Sequence, residues 1–288
     1  MNRLFVQHLT VIDFSYLDAH RGVVGESWIV DIELGGELDE QGMVFDFAHV
    51  KKVIKAGIDE AVDHKLLVPS QMESLQVQDH GEEVELQLTL ASGAGQILHR
   101  SPQQAIALLP FASLTRDQLA PYLAARLKQL LPDNVADIRL RLREEIIQDA
   151  YYHYSHGLKK HRGNCQRIAH GHRSRIEILR DGQRDTALEH DWARSWQDIY
   201  IGTHEDLAGQ PEIDGKEHLE FRYRADQGDF YICLPKPCVY MMETDSTVEL
   251  IAQHIADCLA QRHPDSHIEV RAYEGVDKGA IAERGRLS

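Results

Sequence analysis

The first half of the chain alternates apolar and polar positions over several stretches, and two further stretches carry apolar residues at helical spacing. Alternation predicts β-strands, and apolar residues three to four positions apart predict amphipathic helices. The predicted strands cover about 3–14, 27–35, 84–91, 96–100 and 136–144. The predicted helices cover 46–62, with Asp46 as a plausible cap, and 116–131, with Thr115 as the cap. The segment 92–95 (SGAG) between two strands predicts a hairpin turn.

The second half repeats this order of elements. Its predicted strands cover about 151–158, 172–180, 218–225, 229–235 and 267–274, and its helices open at Asp191-Trp192 and at Thr247. Thr115 and Glu144 recur, at a similar separation, as Thr247 and Glu274. We therefore predict an internal duplication, with domains at 1–149 and 150–288.

Charge, apolar runs and cysteine positions reduce the number of protein classes to which the chain could belong. A formal net charge of −15 argues against a broad basic face for nucleic acid or anionic membranes. No apolar run reaches the roughly 18 to 20 residues of a membrane helix, and the first residues lack the apolar segment of a signal peptide. All four cysteines lie in the second half, which disfavours a disulfide framework. We expect a cytoplasmic protein that binds neither nucleic acid nor membrane.

The segment 165–172 (CQRIAHGH) combines a cysteine with two closely spaced histidines. On a strand, His170 and His172 point to the same side. A third histidine, His156, stands on the neighbouring predicted strand. Three histidines on neighbouring strands, with Cys165 between them, form a candidate metal site. Without His156 and Cys165, the same pair would more often be a structural or surface feature.

These motifs resemble those of the 6-pyruvoyltetrahydropterin synthase / 6-carboxytetrahydropterin synthase family, which has the tunnelling fold (T-fold). In the second half the resemblance is carried by 152–156 (YHYSH), 165–172 (CQRIAHGH), 190–192 (HDW), 203–207 (THEDL), 246–249 (STVE) and 273–274 (YE). In the first half it is carried by 14–18 (FSYLD), 42–47 (GMVFDF), 63–67 (DHKLL), 114–117 (LTRD) and 143–144 (RE). The resemblance implies an α+β fold of two tandem T-fold modules that assemble into a barrel-like oligomer. Each module would be an antiparallel sheet with two helices packed on one face.

The resemblance also implies roles for the second-half motif residues. His156, His170 and His172 would be ligands of Zn²⁺, which would act as a Lewis acid on oxygens of the substrate side chain. Cys165 would be the general base. Glu274 would hold the pterin ring by accepting hydrogen bonds from its N–H and amino groups.

Further substrate contacts are expected from two other segments. Thr247 and Glu249 belong to the motif that opens the last predicted helix, and Glu144 is an alternative to Glu274 as the pterin anchor. The loop with Lys159, Lys160 and Arg162 is the densest basic cluster beside the metal motif. An acidic protein that binds a triphosphate needs such a local positive patch.

The first half departs from the family pattern at the metal site. Its ligand positions are assigned to Asp18, Val24 and Glu26, which offer too few good nitrogen or sulfur donors for zinc. We therefore expect this half to be degenerate and to hold no metal.

The second half departs at the proton relay. The family has an Asp-His pair there, and Thr203 replaces the aspartate before His204, whereas the first half keeps Asp63-His64. Either Asp63 orients His64 toward Cys165 across the module boundary, or His204 serves Cys165 directly. The sequence leaves both alternatives open.

The function implied by the resemblance is that of a lyase acting on 7,8-dihydroneopterin triphosphate. The run 165–168 (CQRI) resembles that of the 6-carboxy branch, which supplies the deazapurine of queuosine. A 6-pyruvoyl product, an aldolase-type cleavage of the same side chain, and a non-catalytic pterin- or purine-binding protein are the alternatives. Because an open sheet edge invites association, we also expect a homo-oligomer.

Overall fold

The computed structural model describes residues 2–38 and 40–285. The strands of the first half are β1 Asn2–Asp18, β2 Gly22–Gly36, β3 Leu66–Pro69, β4 Leu75–Asp79, β5 Glu83–Thr89, β6 Gln96–Pro102, β7 Ile106–Leu109 and β8 Val135–Arg143. Those of the second half are β9 Tyr151–His156, β10 His170–Arg180, β11 Gln183–Arg184, β12 Ile199–Thr203, β13 Leu207–Gly209, β14 Glu212–Ile213, β15 Lys216–Ala225, β16 Gly228–Pro235, β17 Val239–Met242, β18 Ile268–Tyr273 and β19 Gly279–Arg284. The α-helices are α1 Phe47–Ala61, α2 Arg116–Lys128, α3 Thr186–Ser195 and α4 Val248–Arg262.

The strands form three main sheets, and the third joins the two halves. The first-half sheet has the order β7-β3-β1-β2-β8, and the second-half sheet has the order β17-β12-β9-β10-β18-β19. Hairpins from both halves build a third sheet, β13-β15-β16-β6-β5-β4, in which β16 pairs with β6. The chain is therefore an α+β fold of two tandem modules with a shared sheet.

The expectation of a purely antiparallel sheet in each module is wrong. Strand β3 runs parallel to β1 and to β7, and β12 runs parallel to β9 and to β17. Each of these short strands returns to its sheet after a helix or after the hairpin of the third sheet. A long crossover connection of this kind permits parallel pairing.

The apolar positions of the helices pack against the sheets. In the first half, the buried stripes of both helices consist of Val50, Ile54, Ile58, Leu119, Leu123 and Leu127. In the second half they consist of Trp192, Ile251, Ile255 and Leu259, and the buried Trp196 follows α3 directly. A third core lies between the shared sheet and both modules, and it includes Leu86, Leu88, Phe221 and Phe230. Among the described residues, no helix is long and apolar enough to cross a membrane.

Helix α3 begins earlier than the sequence predicts. Its cap is Asp185, whose side chain accepts a hydrogen bond from the backbone N–H of Leu188, so Asp191-Trp192 lies near the end of the helix. Glu189 in the first turn is buried and accepts hydrogen bonds from Ile178 N and Arg184 Nε. An aspartate cap with glutamate in the first turn is the expected start signal, and it lies before the motif that suggested Asp191.

The long hairpins of the two halves cross in direct backbone contact. A Cβ atom added to Gly25 would lie 1.8 Å from Tyr154 O, and one added to Gly171 would lie 2.3 Å from the same atom. Only glycine at these two positions permits such an approach. Beside the crossing, Ser15 Oγ and Ser155 Oγ are 2.7 Å apart. The crossing brings strand residues of one half next to the motif histidines of the other half.

Candidate active site

Three histidines converge at the end of the β9–β10 hairpin. His156 pairs directly across the ladder with His170, and His172 lies two residues further along β10. All three side chains are buried, and their candidate ligand nitrogens lie within 4.8 Å of one another. The alternation of the strand therefore places the imidazoles on one side, as the spacing predicts.

The other ring nitrogen of each histidine contacts the protein. His156 Nδ1 is 3.1 Å from Ser246 O, and His170 Nδ1 donates to Arg167 O at 2.9 Å. His172 Nδ1 lies 3.2 Å from Asp13 Oδ1. The buried Nε2 atoms of His156 and His172 have no hydrogen-bond partner among the described residues. Unpartnered imidazole nitrogens that converge in this way suit a metal ion.

Burial keeps two of these histidines in the form that binds metals. It lowers the pKa of His156 and of His170 well below the ordinary value, and neighbouring histidines lower each further. Both imidazoles are therefore neutral at pH 7, and only a neutral imidazole has a lone pair for a metal ion.

Asp13 in β1 links the first half to the three clustered histidines of the second. Its side chain is buried, accepts a hydrogen bond from Ser27 Oγ at 2.5 Å, and lies 3.1 Å from Lys278 Nζ. Burial alone would raise the pKa of Asp13, but His172, Lys278 and Ser27 together hold it below its usual range. Asp13 is therefore an ionised carboxylate next to His172.

Asp63 and His64 of the first half lie beside Cys165 of the second half. The ligand atoms of His64, Cys165 and His170 lie within 4.8 Å of one another. His64 Nδ1 donates to Asp63 Oδ2 at 2.7 Å, while Asp63 Oδ1 accepts the backbone N–H of Asp13 at 2.9 Å. Burial would lower the pKa of His64, but hydrogen bonds to Asp63 and Cys165 raise it to about 10. The ring is therefore an imidazolium at neutral pH, beside the cysteine sulfur.

The backbone of His64 is held in an unusual conformation. Its φ angle is 53°, in the left-handed region, and its N–H donates to Asp13 O at 2.7 Å. Left-handed backbone in a non-glycine residue costs free energy, and it is often found at functional sites. The same strand residue, Asp13, thus contacts His64, Asp63 and His172.

Comparison with known proteins identifies the family of both halves. The model of the 6-pyruvoyl tetrahydropterin synthase family matches twice, over residues 19–150 and 145–285. The chain belongs to the 6-pyruvoyl tetrahydropterin synthase family. The resemblance drawn from the motifs is confirmed, and with it the expectation of a lyase of the 6-carboxy/6-pyruvoyl-tetrahydropterin synthase type.

Several curated relatives and solved structures are similar to parts of the chain. A Pyrococcus horikoshii protein, provisionally named 6-carboxy-5,6,7,8-tetrahydropterin synthase, is 25% identical over 134 residues, which are 46% of this chain and 76% of that protein. A Methanocaldococcus jannaschii protein with the same provisional name is 34% identical over 137 residues, 46% of this chain and 80% of that protein. The crystal structure of 6-pyruvoyl tetrahydropterin synthase from Plasmodium vivax is 15% identical with a TM-score of 0.37, covering 49% of this chain and 97% of that one.

Within this family member, His204 lies apart from the histidine cluster. Its side chain is 51% exposed, and its Nε2 is 3.3 Å from Glu243 Oε1. No hydrogen bond, ion pair or ring contact joins His204 to Cys165 in the described part of the chain. Thr203 is buried and bonds Asp206 instead.

The two candidate anchor glutamates lie in different places. Glu274 follows β18, and its Oε1 is 4.0 Å from His172 Nε2, while its Oε2 is 3.7 Å from Lys278 Nζ. Glu144 follows β8, and its Oε1 is 3.4 Å from the guanidinium nitrogen Nη1 of Arg116. The structure therefore brings Glu274, and not Glu144, to the three histidines.

The remaining residues that were predicted to bind substrate lie at the start of α4 and in the 159–162 loop. Thr247 caps α4 by accepting a hydrogen bond from Leu250 N, and Glu249 is exposed in the first turn. Lys159 Nζ lies 2.5 Å from Asp206 and 2.8 Å from Glu205, and Lys160 Nζ lies 2.8 Å from Glu205 and 3.1 Å from Asp245. Arg162 is exposed. Carboxylates therefore offset much of the positive charge of this loop.

Strand register corrects two equivalences between the halves. Ser15 pairs with Gly25 as Ser155 pairs with Gly171, so the counterpart of His156 is Tyr16 rather than Asp18. Asp18 instead accepts backbone N–H groups in the β1–β2 turn.

The second corrected equivalence concerns the relay pair. Leu66 lies opposite Ser15 as Tyr200 lies opposite Ser155, so Asp63-His64 corresponds to Gln197-Asp198 and not to Thr203-His204. His64 and Asp198 share the left-handed backbone, with φ of 53° and 58°. The likeness of Thr203-His204 to an Asp-His pair is therefore coincidental, because Thr203 does not occupy the position of the aspartate in the fold.

Sequence reasoning missed Asp13 and Lys278. Asp13 carried a signal, because it is an acidic residue within the apolar stretch 11–14 (VIDF) of a buried strand. Lys278 carried none, since it lies in a short turn whose position depends on the pairing of β18 with β19.

Proposed function

We propose that this protein is a zinc-dependent pterin lyase that converts 7,8-dihydroneopterin triphosphate to 6-carboxytetrahydropterin, in the queuosine (deazapurine) pathway. The observation that supports it most strongly is a site assembled from both halves, in which three buried imidazoles lie beside Cys165, His64 and Asp63. The names of the relatives favour the 6-carboxy product.

His156, His170 and His172 would hold the zinc ion. Two of their Nε2 atoms are buried without a hydrogen-bond partner among the described residues, and an all-nitrogen donor set suits Zn²⁺. When bound, zinc supplies a Lewis acid that polarises oxygens of the substrate side chain.

The chain's own groups would move the protons. Cys165 would take a proton from a carbon of the substrate side chain, and its sulfur near His64 and His170 supports this role. His64 is protonated at neutral pH and can return a proton, while Asp63 fixes its orientation. The thiolate is the form in which a cysteine acts as a base. Glu274, close to His172, would accept hydrogen bonds from the pterin ring and set its position.

Product identification tests the proposal. The zinc-loaded protein is incubated with 7,8-dihydroneopterin triphosphate, and the products are separated and identified by mass. We expect 6-carboxytetrahydropterin from the unmodified chain and none from Cys165→Ala. A 6-pyruvoyl product would assign the other branch, and no turnover with intact zinc binding would favour a pterin-binding protein.

Asp13 is expected to strengthen metal binding by orienting His172. A carboxylate behind a ligating histidine typically contributes 10- to 100-fold to metal affinity. We expect Asp13→Asn to weaken zinc affinity by about that factor, measured by competition with a chelator. The control is Asp18→Asn, in the same strand but at the turn. Equal affinities for the two variants would show that Asp13 does not act on the metal.

The basic loop is proposed to attract the triphosphate. We expect Lys159→Ala combined with Lys160→Ala to raise KM about three- to tenfold and leave kcat unchanged, since an exposed ion pair contributes up to about 1 kcal/mol. The ion pairs with Glu205, Asp206 and Asp245 limit the effect. The matched control is Lys51→Ala with Lys52→Ala on the exposed face of α1. An unchanged KM in the loop variant would remove these lysines from substrate binding.

We also propose that the active form is a homo-oligomer in the cytoplasm, with a domain boundary near 149. Strands β7 and β17 are open edges of their sheets, and association is the usual means of covering such edges.

A further inference from the structure

A second cavity lies where the duplication places the counterpart of the active site. Its volume is about 490 Å³, and residues of both halves line it. Tyr16 and Glu26 line it at the positions that His156 and His172 occupy in the second half. Glu144, the counterpart of Glu274, lines it as well. We call this space the twin cavity.

The twin cavity has lost the reactive groups of its counterpart. A phenol, an alkyl group and a carboxylate (Tyr16, Val24 and Glu26) replace the three imidazoles. Asp198 stands in place of His64, and it forms an ion pair with Arg21, whose Nε is 2.8 Å from Asp198 Oδ2. Arg21 also donates to the Tyr16 hydroxyl at 3.1 Å. These groups are fixed to one another, so the twin cavity suits binding rather than proton transfer.

Cationic side chains line this cavity, although the protein as a whole is acidic. Besides Arg21, Arg116 enters from the first turn of α2 and Arg173 from β10. Arg173 is buried and stacks on Tyr151, with 4.2 Å between the guanidinium carbon and the ring centroid. The lining carries two carboxyl groups, Glu26 and Glu144, against these three arginines. Asp198 is paired with Arg21.

The negative charge of the cavity is smaller than its two carboxyl groups suggest. Burial raises the pKa of Glu26 to about 7, so this carboxyl group is partly protonated at neutral pH and can donate a hydrogen bond. Glu144 is then the main remaining negative charge, shared between Arg116 at 3.4 Å and Arg173 at 4.0 Å.

We propose that the twin cavity is a metal-free binding site for a small oxyanion, namely the phosphate or carboxylate group of a metabolite. Arg116 is the main ligand, because it is 41% exposed at the cavity mouth and its contact with Glu144 is loose. A planar guanidinium can form two parallel hydrogen bonds to a phosphate or carboxylate. Arg173 adds positive charge on the cavity wall.

The test is calorimetric titration of the zinc-loaded full-length chain with inorganic phosphate and, separately, with malonate. We expect one saturable site per chain for at least one of the two anions, and the preferred anion distinguishes a phosphate from a carboxylate ligand. Arg116→Gln should weaken binding about tenfold or more, since a hydrogen bond to a charged group contributes about 1.5–3 kcal/mol. The matched control, Arg224→Gln, changes an arginine whose side chain is 81% exposed at the end of β15, and it should bind as the unmodified chain does.

Other outcomes would overturn the proposal. These are the absence of saturable binding of either anion, equal weakening in Arg224→Gln, and unchanged binding in a folded Arg116→Gln variant, with folding checked by circular dichroism. Binding that is lost instead in the Lys159→Ala and Lys160→Ala double variant would assign the anion to the loop beside the active site. The readout does not depend on turnover, so it is independent of the proposed lyase activity.

Discussion

The His64→Ala variant is expected to lose about 10²- to 10⁴-fold in kcat at saturating substrate, whereas His204→Ala should remain within about threefold of the unmodified chain. His64 is hydrogen-bonded to Asp63 and lies beside Cys165, so it is the histidine placed to exchange protons there. His204 is half exposed and paired with Glu243, apart from the cluster. The measurement is steady-state turnover of 7,8-dihydroneopterin triphosphate by both variants.

Zinc content must be determined in both variants, because the His64 ring lies 5.2 Å from that of His170. A variant that retains its zinc and loses turnover has lost a proton-transfer group rather than the metal. Asp63→Asn should give an intermediate loss. Asparagine keeps the shape of the side chain, but it lacks the charge that orients His64 and keeps it protonated. If His204→Ala alone loses activity, the relay across the two halves is excluded.

This relay would make the two halves interdependent. The first half supplies Asp13, Asp63 and His64, and the second supplies Cys165 and the three histidines. In a duplicated chain, one copy can lack a metal site of its own, provided that it still completes the site of the other copy.

Much of the fold could be predicted from local patterns. Long strands with regular alternation, such as β10 and β15, and capped helices, such as α2 and α4, carry their signal within a few residues. The four-residue strands β3 and β7 could not be predicted, because a short buried apolar run does not distinguish a strand from a helix end. Their parallel pairing depends on how α1 and the hairpin of the shared sheet return the chain to this sheet, which is a tertiary arrangement.

The histidine cluster was predictable because all three histidines lie on one hairpin. His170 and His172 alternate on a single strand, and His156 pairs across the ladder with His170. The partners from the other half were not predictable in the same way. Asp13 reaches His172 only because Gly25 and Gly171 allow the hairpins to touch. Strand register, which separates Tyr16 from Asp18 as the counterpart of His156, likewise appears only in the folded chain.

One zinc ion per chain is expected, and His170→Ala should remove it together with turnover. His170 is central to the cluster, since it belongs to both groups of converging ligand atoms. Without it, two imidazoles remain, which are too few to hold zinc in a catalytic site. We expect kcat to fall about 10³-fold or more, because a catalytic metal contributes several kcal/mol to the transition state. Metal analysis after gentle purification, together with the turnover assay, gives both quantities.

The matched control for this loss is Glu26→Gln, which changes the first-half counterpart of His172. Because Tyr16, Val24 and Glu26 provide no imidazole, the twin cavity should contribute nothing to zinc binding, and Glu26→Gln should retain one zinc per chain. Two zinc ions in the unmodified chain, with one remaining in His170→Ala, would show that the first half also binds metal. A chain that contains no zinc after gentle purification, and gains no activity when zinc is added, would contradict the metal site altogether.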